Sequence, residues 1–344
     1  MRAARLTVNR PSSRLLYLPS SREYPDTLPR ARQELAQAPM DRVNSPKTPA
    51  APVVNVMTID VEDYFQVSAF DGLIPRAQWT THESRVCRNT ERMLDLFDEF
   101  QTKGTFFVLG WVGERYPDLV RTIAQRGHEI ASHGYAHRLI YDQTPEGFRE
   151  DVRRAKRLLE DACGRRVVGY RAPSYSITPK SLWALDILVE EGYEYDSSIF
   201  PIRHDRYGIP VSARSPYRIE RKAGTLVEVP GSTTRLGPLN LPVAGGGYFR
   251  LLPYWWTRWG IDRVNRLEGR AAVFYLHPWE IDPDQPRLPL GRLSRFRHYH
   301  NLGDTESRLR QLLTDFRFGP IGDVVAEARD AVHTSQLSPL PYAF

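Results

Sequence analysis

Short apolar runs alternate with longer segments of helical period from residue 51 onward, and this alternation constrains the fold more than any other feature of the sequence. The runs are rich in β-branched and aromatic residues, as buried strands are. Strands that alternate with helices form βα units, in which each helix carries the chain back so that the next strand runs parallel. Seven runs predict strands, at 52–60, 104–110, 128–134, 167–173, 193–199, 226–232 and 272–278.

The segments between these runs carry helix start and stop signals. The apolar residues of 89–104 share one helix face, with Asn89 or Thr90 as the predicted N-cap and Gly104 beyond the end. Three further segments open on a capping residue or Pro and close on a Gly, at 115–127, 144–164 and 178–192. The pattern predicts an α/β fold. Periodicity alone fits both an incomplete (β/α) barrel and an open doubly wound sheet.

Three regions depart from this alternation. Residues 1–50 hold nine Lys and Arg against four acids, and we predict a disordered basic extension there, followed by one domain over 51–344. Residues 233–271, with a Gly triplet and an aromatic cluster, are predicted as a lid or substrate loop. Residues 282–303 are predicted as a second long loop.

Charge and hydropathy exclude some classes of function. The formal net charge is +6, but the first 50 residues supply nearly all of it, so we expect no nucleic-acid partner. No run approaches the ~20 apolar residues of a membrane span, and the start of the chain lacks the apolar core of a secretory signal. We therefore expect no stable membrane insertion and a cytoplasmic location.

Polar residues fall where the predicted strands end. In barrels and open α/β sheets the carboxyl ends of parallel strands meet at one edge, where active sites are built. We therefore expect these distant positions to converge on one site. They are Asp60 and Glu62 at the first strand, His133 at the third, Arg171 at the fourth, Asp196 at the fifth and His277 at the seventh.

Three of these side chains, together with His137, suggest a metal site. His133 and His137 are four residues apart, a spacing that on a helical turn brings two imidazoles to one face. Asp60 and Glu62 are two apart, so on a strand they share a face. Two His and one carboxylate leave coordination positions open, as a catalytic metal site requires.

Each residue taken alone also has a plain structural interpretation. Asp60 fits a helix cap, Arg171 a surface ion pair worth ~0–1 kcal/mol, and His277 a hydrogen-bonded core histidine. Their joint placement at strand ends favours the functional interpretation.

These strings resemble the NodB-type polysaccharide deacetylases of carbohydrate esterase family 4 over about residues 53–280. The motifs occur in the family's order as "TIDVED", "SHGYAH", "YRAPSYSI", "YDSSIFP" and "YLHPWE". "DVEDYFQ", "GGGYFRLLP" and "HPWEIDPDQPR" resemble the deacetylases of exopolysaccharide loci linked to exosortase systems. The resemblance implies a distorted (β/α)7-type barrel, here with long C-terminal loops.

The resemblance also implies catalytic roles. Asp60 would be the general base, held by a salt bridge to Arg171, and His277 the general acid. We further predict that Tyr175, Asp196 and Trp279 lie at the substrate, with Asp196 positioning Arg171 or His277 rather than reacting.

The implied metal ligands are Glu62, His133 and His137, with Zn²⁺ as the expected ion and Co²⁺ or another divalent cation as alternatives. The family's usual first motif has two adjacent Asp, so either Glu62 or Asp63 could be the carboxylate ligand. We choose Glu62 because it shares a strand face with Asp60. In the third motif Ser174 stands between the Pro and Tyr175, which leaves the backbone N–H of the oxyanion hole open.

We therefore predict metal-dependent hydrolysis of acetyl groups from an exopolysaccharide or its precursor. We favour N-acetyl over O-acetyl groups as the ones removed. A cyclic amide or imide hydrolase of the same fold is one alternative. A carbohydrate-binding protein of polysaccharide export, without catalysis, is another.

Overall fold

The computed structural model describes residues 53–204 and 206–332, with side chains described as far as residue 326. The predicted extension over residues 1–50 lies outside the described residues. The strands are β1 (Val54–Val61), β2 (Thr105–Val108), β3 (Glu129–Ser132), β4 (Gly169–Tyr170), β5 (Tyr195–Asp196), β6 (Tyr217–Arg221), β7 (Gly224–Glu228), β8 (Thr233–Leu236), β9 (Leu239–Pro242), β10 (Val273–Leu276) and β11 (Arg317–Gly319).

The helices cover the predicted helical segments and add others. They are α1 (Val86–Glu99), α2 (Gly110–Arg115), α3 (Pro117–Gln125), α4 (Pro145–Cys163), α5 (Trp183–Glu190), α6 (Gly246–Leu251), α7 (Tyr254–Glu268), α8 (Arg292–Tyr299), α9 (Leu302–Asp315) and α10 (Ile321–Val332). Short 3₁₀ turns lie at Ser68–Phe70, Arg76–Thr81, Ile140–Asp142, Pro173–Tyr175 and Pro278–Ile281. No helix among the described residues is long and apolar enough to cross a bilayer.

The main sheet has the order β10-β1-β2-β3-β4-β5-β7-β6, with β11 also pairing with β1. The seven strands from β10 to β7 are mutually parallel, and they are the seven predicted from the sequence. They follow chain order around the sheet, with β10 beside β1, which is barrel winding and not the reversal of a doubly wound sheet. The predicted α/β barrel is confirmed. It is open, because no pairing joins β10 to β6 within the described residues.

The first helix shows how a residue distant in sequence fixes a helix start. We expected Asn89 or Thr90 as the N-cap, but α1 begins one turn earlier, after Arg85. Asp63 performs the capping: its Oδ2 accepts hydrogen bonds from the backbone N–H of Arg85 at 2.8 Å and of Val86 at 3.2 Å. A capping carboxylate satisfies N–H groups that the helix leaves unpaired.

Asp63→Asn should therefore destabilise the protein without touching the candidate site. Both Asp63 oxygens accept hydrogen bonds, from Tyr64 N–H on one side and from the α1 start and Ser84 on the other. In the variant an amide –NH₂ group replaces one of these oxygens. It cannot accept the hydrogen bonds of the donors that face it, and we expect a loss of about 2 kcal/mol in the free energy of unfolding. Urea denaturation at pH 7 measures this loss. A variant as stable as the wild type would contradict the capping role.

The two predicted loops contain regular structure. Residues 233–271 form the β8–β9 hairpin followed by α6 and α7, and 282–303 contain α8 and the first two residues of α9. The α7 pattern is faint in the sequence because its buried face includes small residues: Gly260 packs so closely on Val243 that an added Cβ would lie 2.4 Å from it. In α8, only His298 is buried, so no apolar period marks the helix.

Candidate active site

The polar residues predicted at strand ends meet at one edge of the sheet. Asp60 is the second-last residue of β1, Glu62 directly follows that strand, and His133 directly follows β3. Arg171 and His277 directly follow β4 and β10. Because these strands are parallel, their carboxyl ends open into one cavity. Its lining includes Asp60, Glu62, His137, Tyr175, His277 and Trp279.

Glu62, His133 and His137 form a cluster that fits a divalent cation. One donor atom from each lies within 4.8 Å of the others, and all three side chains are buried. Glu62 Oε2 lies 2.9 Å from His137 Nε2 but has no hydrogen-bond donor among the described residues, and His137 Nδ1 also has no partner. Unsatisfied buried polar atoms are costly, and a bound cation would satisfy this donor set.

The electrostatics of this cluster favour the protonation states that a metal needs. Burial alone would raise the pKa of Glu62, but the imidazoles of His137, His277 and His133 hold that pKa at about 2. Burial lowers the pKa of His133 to about 4. At neutral pH the first is therefore a carboxylate and the second a neutral imidazole, which are the ligating forms.

The orientation of the His133 ring is fixed by a hydrogen bond at Nδ1. Its Nδ1 lies 2.8 Å from the backbone carbonyl oxygen of Arg171, which can only accept a hydrogen bond. Nδ1 must therefore carry the proton, and the lone pair is left on Nε2, which faces the cluster. A carbonyl that fixes the tautomer of a ligating histidine is a common outer-shell arrangement at metal sites.

The two histidines meet without a helical turn, contrary to the geometry we expected from their spacing. The chain leaves β3 at His133 and turns back through Gly134 at φ 72°, and His137 itself has φ 48°. Asp151 accepts two backbone N–H bonds from this turn, and Arg76 donates to two of its carbonyls. A Cβ at position 134 would lie 2.8 Å from the Asp151 carboxylate, so glycine is required there.

The choice between Glu62 and Asp63 follows from side-chain direction. Glu62 faces the two histidines, whereas Asp63 points to the opposite side, where it caps α1. Adjacent residues leaving a strand point to opposite faces.

Asp60 and Arg171 form a buried ion pair. Arg171 Nη1 donates to Asp60 Oδ1 at 2.8 Å and to Thr58 Oγ1 at 2.8 Å. Its remaining nitrogens donate to Ser197, at the backbone carbonyl and at Oγ. The guanidinium also lies 4.1 Å from the ring centroid of Phe107. Arg171 is thus held on every side, and it fixes one oxygen of Asp60 while Oδ2 faces the cavity.

His277 is held by a second ion-paired network. Its Nδ1 donates to Glu280 Oε1 at 2.7 Å, and Arg250 Nε donates to Glu280 Oε2 at 2.5 Å. Nε2 then points toward Asp60 Oδ2 at 3.8 Å and Glu62 Oε1 at 3.6 Å. Burial opposes the imidazolium, but Glu280 first, then Glu62 and Asp60, outweigh it and raise the pKa of His277 to about 9.

The predicted substrate residues have different outcomes. Tyr175 lines the cavity with a buried hydroxyl that has no partner among the described residues. Trp279 also lines the cavity, but its ring is stacked between His277 and His298, with centroids 5.2 Å and 4.4 Å away. Its Nε1 lies 3.4 Å from Glu62 Oε1, so Trp279 contacts both His277 and Glu62 and helps to hold them in place.

Asp196 does not line the cavity, contrary to our prediction. It is fully buried and accepts a hydrogen bond from Ser198. Its partner in the register between β5 and β7 is Glu228, which shares the same face. Within the described residues its side chain hydrogen-bonds neither Arg171 nor His277.

The turn at Pro173–Tyr175 offers one free backbone donor. The N–H groups of Tyr175 and Ser176 donate to Ala172 and Pro173 carbonyls, at 3.1 Å each. Ser174 lines the cavity, and its N–H has no acceptor in the part of the chain that is described.

Sequence reasoning missed the residues that hold the reacting groups in place. Glu280 lay inside the quoted motif "YLHPWE", and its spacing of three from His277 was an available signal. Arg250 and Asp151 gave no signal, because only the fold brings them to Glu280 and to the turn before His137.

Family models match two successive parts of the chain. Residues 76–195 match the model described as polysaccharide deacetylase. Residues 197–326 match a model described as a domain of unknown function, DUF3473. The second match covers the region that carries His277 and Glu280.

Curated relatives match up to about two fifths of the chain. A peptidoglycan deacetylase of Helicobacter pylori is 26% identical over 134 residues, 38% of this chain and 45% of that protein. A peptidoglycan-N-acetylglucosamine deacetylase of Bacillus cereus is 30% identical over 98 residues, 28% of this chain and 36% of that one. A chitooligosaccharide deacetylase of Bradyrhizobium is 28% identical over 99 residues, 29% and 43% of the two chains. The chain spans less than half the length of each.

Solved structures share the fold over most of the chain. A Mycobacterium smegmatis protein assigned to the polysaccharide deacetylases has a TM-score of 0.56 at 23% identity, covering 86% of this chain and 98% of that one. An allantoinase has a TM-score of 0.52 at 17% identity, covering 88% and 100%. At these identities the similarity shows the fold alone.

Proposed function

Since the chain contains a polysaccharide deacetylase domain of the NodB type, we propose that it hydrolyses N-acetyl groups from an exopolysaccharide or its precursor, with a divalent cation bound by Glu62, His133 and His137. The observation that carries the proposal is the convergence of this cluster with Asp60 and His277 on one cavity. Zn²⁺ is the expected ion, because two imidazoles and one carboxylate are a common catalytic zinc set. We also propose a cytoplasmic location.

The chain's own residues can perform the proton transfers of hydrolysis. A bound cation would supply Lewis acidity to the acetyl carbonyl oxygen and to water. Asp60 Oδ2 faces the cavity and would accept the proton of the attacking water, while Arg171 keeps the carboxylate in place. The N–H of Ser174 would donate to the oxygen that becomes negative.

The position of His277 supports N-acetyl as the scissile group. An amide nitrogen is a poor leaving group unless it is protonated, so deacetylation of an amine needs an acid beside that nitrogen. His277 presents Nε2 to the cavity, with Nδ1–H held by Glu280. An ester oxygen leaves more readily and makes less use of this acid.

Acetate release with controlled metal content tests the proposal. The full chain, after exhaustive chelation, should lose activity on N-acetylglucosamine oligosaccharides and regain it with Zn²⁺ or Co²⁺. Allantoin, a cyclic amide, serves as the competing substrate because an allantoinase shares the fold. Full activity after chelation, or ring opening of allantoin without acetate release, would refute the proposal.

The Glu280→Gln variant should change the pH dependence of the reaction. His277 must be protonated to act as an acid, so kcat/KM should fall as the pH rises through the pKa of His277. Glu280 stabilises the imidazolium, and an amide at its place removes that negative charge, so the alkaline limb should move down by at least ~1 pH unit. The pH profile of kcat/KM for wild type and variant measures this, with melting curves to verify folding. An unmoved alkaline limb would exclude His277 as the acid that Glu280 tunes.

A further inference from the structure

A long basic stretch borders the candidate active site. Residues 285–303 contain four Arg, two His and no Asp or Glu. This stretch contains α8, which places Ser294, Arg297 and His298 in the lining of the catalytic cavity.

The arginine side chains of α8 have no acidic partners among the described residues. Arg292, Arg295 and Arg297 are exposed, and none of their guanidinium groups forms an ion pair or a hydrogen bond with a described residue. Elsewhere exposed arginines are commonly paired, as Arg149 and Arg153 are with Glu191. Three unpaired like charges on one short helix repel one another, so an anion bound there would be stabilising.

A further unpaired guanidinium lines the same cavity. Arg206, in the segment between β5 and β6, is exposed, and its side chain has no ion pair among the described residues. Arg206 and Arg297 therefore contribute positive charge to the cavity from separate parts of the chain.

The acids that line the cavity within the described part of the chain form no ion pair with these two arginines. Asp60 is paired with Arg171, Glu280 with Arg250, and Glu62 belongs to the histidine cluster. A bound divalent cation would add further positive charge. A neutral sugar polymer gains little from such a field, whereas a carboxylate or phosphate gains charge-assisted hydrogen bonds with planar guanidinium groups.

We propose that the substrate is an anionic saccharide, in which a carboxylate or phosphate group beside the acetylated sugar binds Arg297 and Arg206. This inference rests on the proposed deacetylation and names its substrate class. The anion has two possible sources: a uronic acid in the polymer, or the phosphate that links a sugar to a carrier.

The α8 helix supplies a matched control for the test. Arg297→Gln and Arg206→Gln remove charges that line the cavity, whereas Arg295→Gln removes an equally exposed charge from the same helix that does not line it. The substrates are tetra-N-acetylchitotetraose, which is neutral and is called chitotetraose below, a hyaluronan tetrasaccharide, which alternates N-acetylglucosamine with glucuronate, and UDP-N-acetylglucosamine, which carries phosphate. Acetate release gives kcat/KM for each at low and at high salt.

The wild type should prefer one of the anionic substrates over chitotetraose by about tenfold or more, because hydrogen bonds to a charged group are stronger than those between neutral groups. Added salt should weaken that preference. R297Q and R206Q should each reduce it by about tenfold, and R295Q should leave it unchanged. The preferred anionic substrate identifies the source of the charge.

Two results would overturn the inference. One is a wild type that prefers chitotetraose. The other is an R295Q variant that reduces the preference for the anionic substrate as strongly as R297Q does. If the protein also co-sediments with phosphatidylglycerol vesicles and R295Q weakens that binding, α8 is assigned to a lipid surface. If no substrate releases acetate, the proposed deacetylation fails. Calorimetric binding of the same anionic probes to wild type and R297Q then tests the anion site by itself, and equal binding would refute it.

Discussion

The Asp60→Asn variant is expected to release acetate about 10³-fold more slowly than the wild type while still binding metal, because a general base contributes about 10²–10⁴-fold to such reactions. Asn keeps an oxygen that can accept from Arg171 Nη1, but it cannot take a proton from water. Loss of the negative charge also leaves the buried Arg171 without its counter-ion, so some stability should be lost. The assay is therefore run well below the melting temperature.

The Asp63→Asn variant is the matched control for this experiment. It makes the same chemical change at a buried carboxylate three residues away, outside the cavity, and it should lower stability without slowing catalysis. Metal content is measured for both variants. If D60N and D63N slow acetate release equally, the loss reports folding and not catalysis, and the assignment of Asp60 as the base is wrong.

Replacing Arg171 with Met should cause the largest loss of stability, about 3–5 kcal/mol in the free energy of unfolding. The change leaves the buried carboxylate of Asp60 without its counter-ion and removes the donors that satisfy Thr58 and Ser197. Breaking a buried pair from one side costs more than the pair itself contributes, since a charge remains unpaired in a low-dielectric interior. Urea denaturation at pH 7 measures the loss.

A double-mutant cycle separates the ion pair from the packing of the guanidinium. In the D60N background no unpaired carboxylate remains, so R171M should cost less than it does in the wild type, by on the order of 1–3 kcal/mol. Equal costs in both backgrounds would show that Arg171 stabilises the fold through Phe107, Thr58 and Ser197 and not through Asp60.

The sequence predicted the parallel core because periodicity is a local signal. Each of the seven core strands is a short apolar run, and at five of them a polar residue that marks the strand's end is visible beside it. The convergence of Asp60, His133, Arg171 and His277 then follows from the rule that parallel strands end at one edge.

Features that depend on distant partners could not be predicted in this way. The N-terminus of α1 is set by Asp63, 22 residues before Arg85, so a local capping rule placed it too late. Asp196 ends its strand as expected, but its side chain turns toward Glu228 on β7, and only the register between β5 and β7 determines that. The α8 helix was missed because just one of its residues is buried.

The most direct test of the proposed metal site is anomalous diffraction at the zinc absorption edge, recorded from crystals of the wild type and the E62Q and D63N variants soaked in Zn²⁺. We predict one peak in the wild type, about 2.0–2.2 Å from a Glu62 oxygen and from one nitrogen of each of His133 and His137. The peak should be lost in E62Q and kept in D63N. A wild type with no peak between these side chains, or a peak that survives E62Q and disappears in D63N, would contradict a metal site built on Glu62.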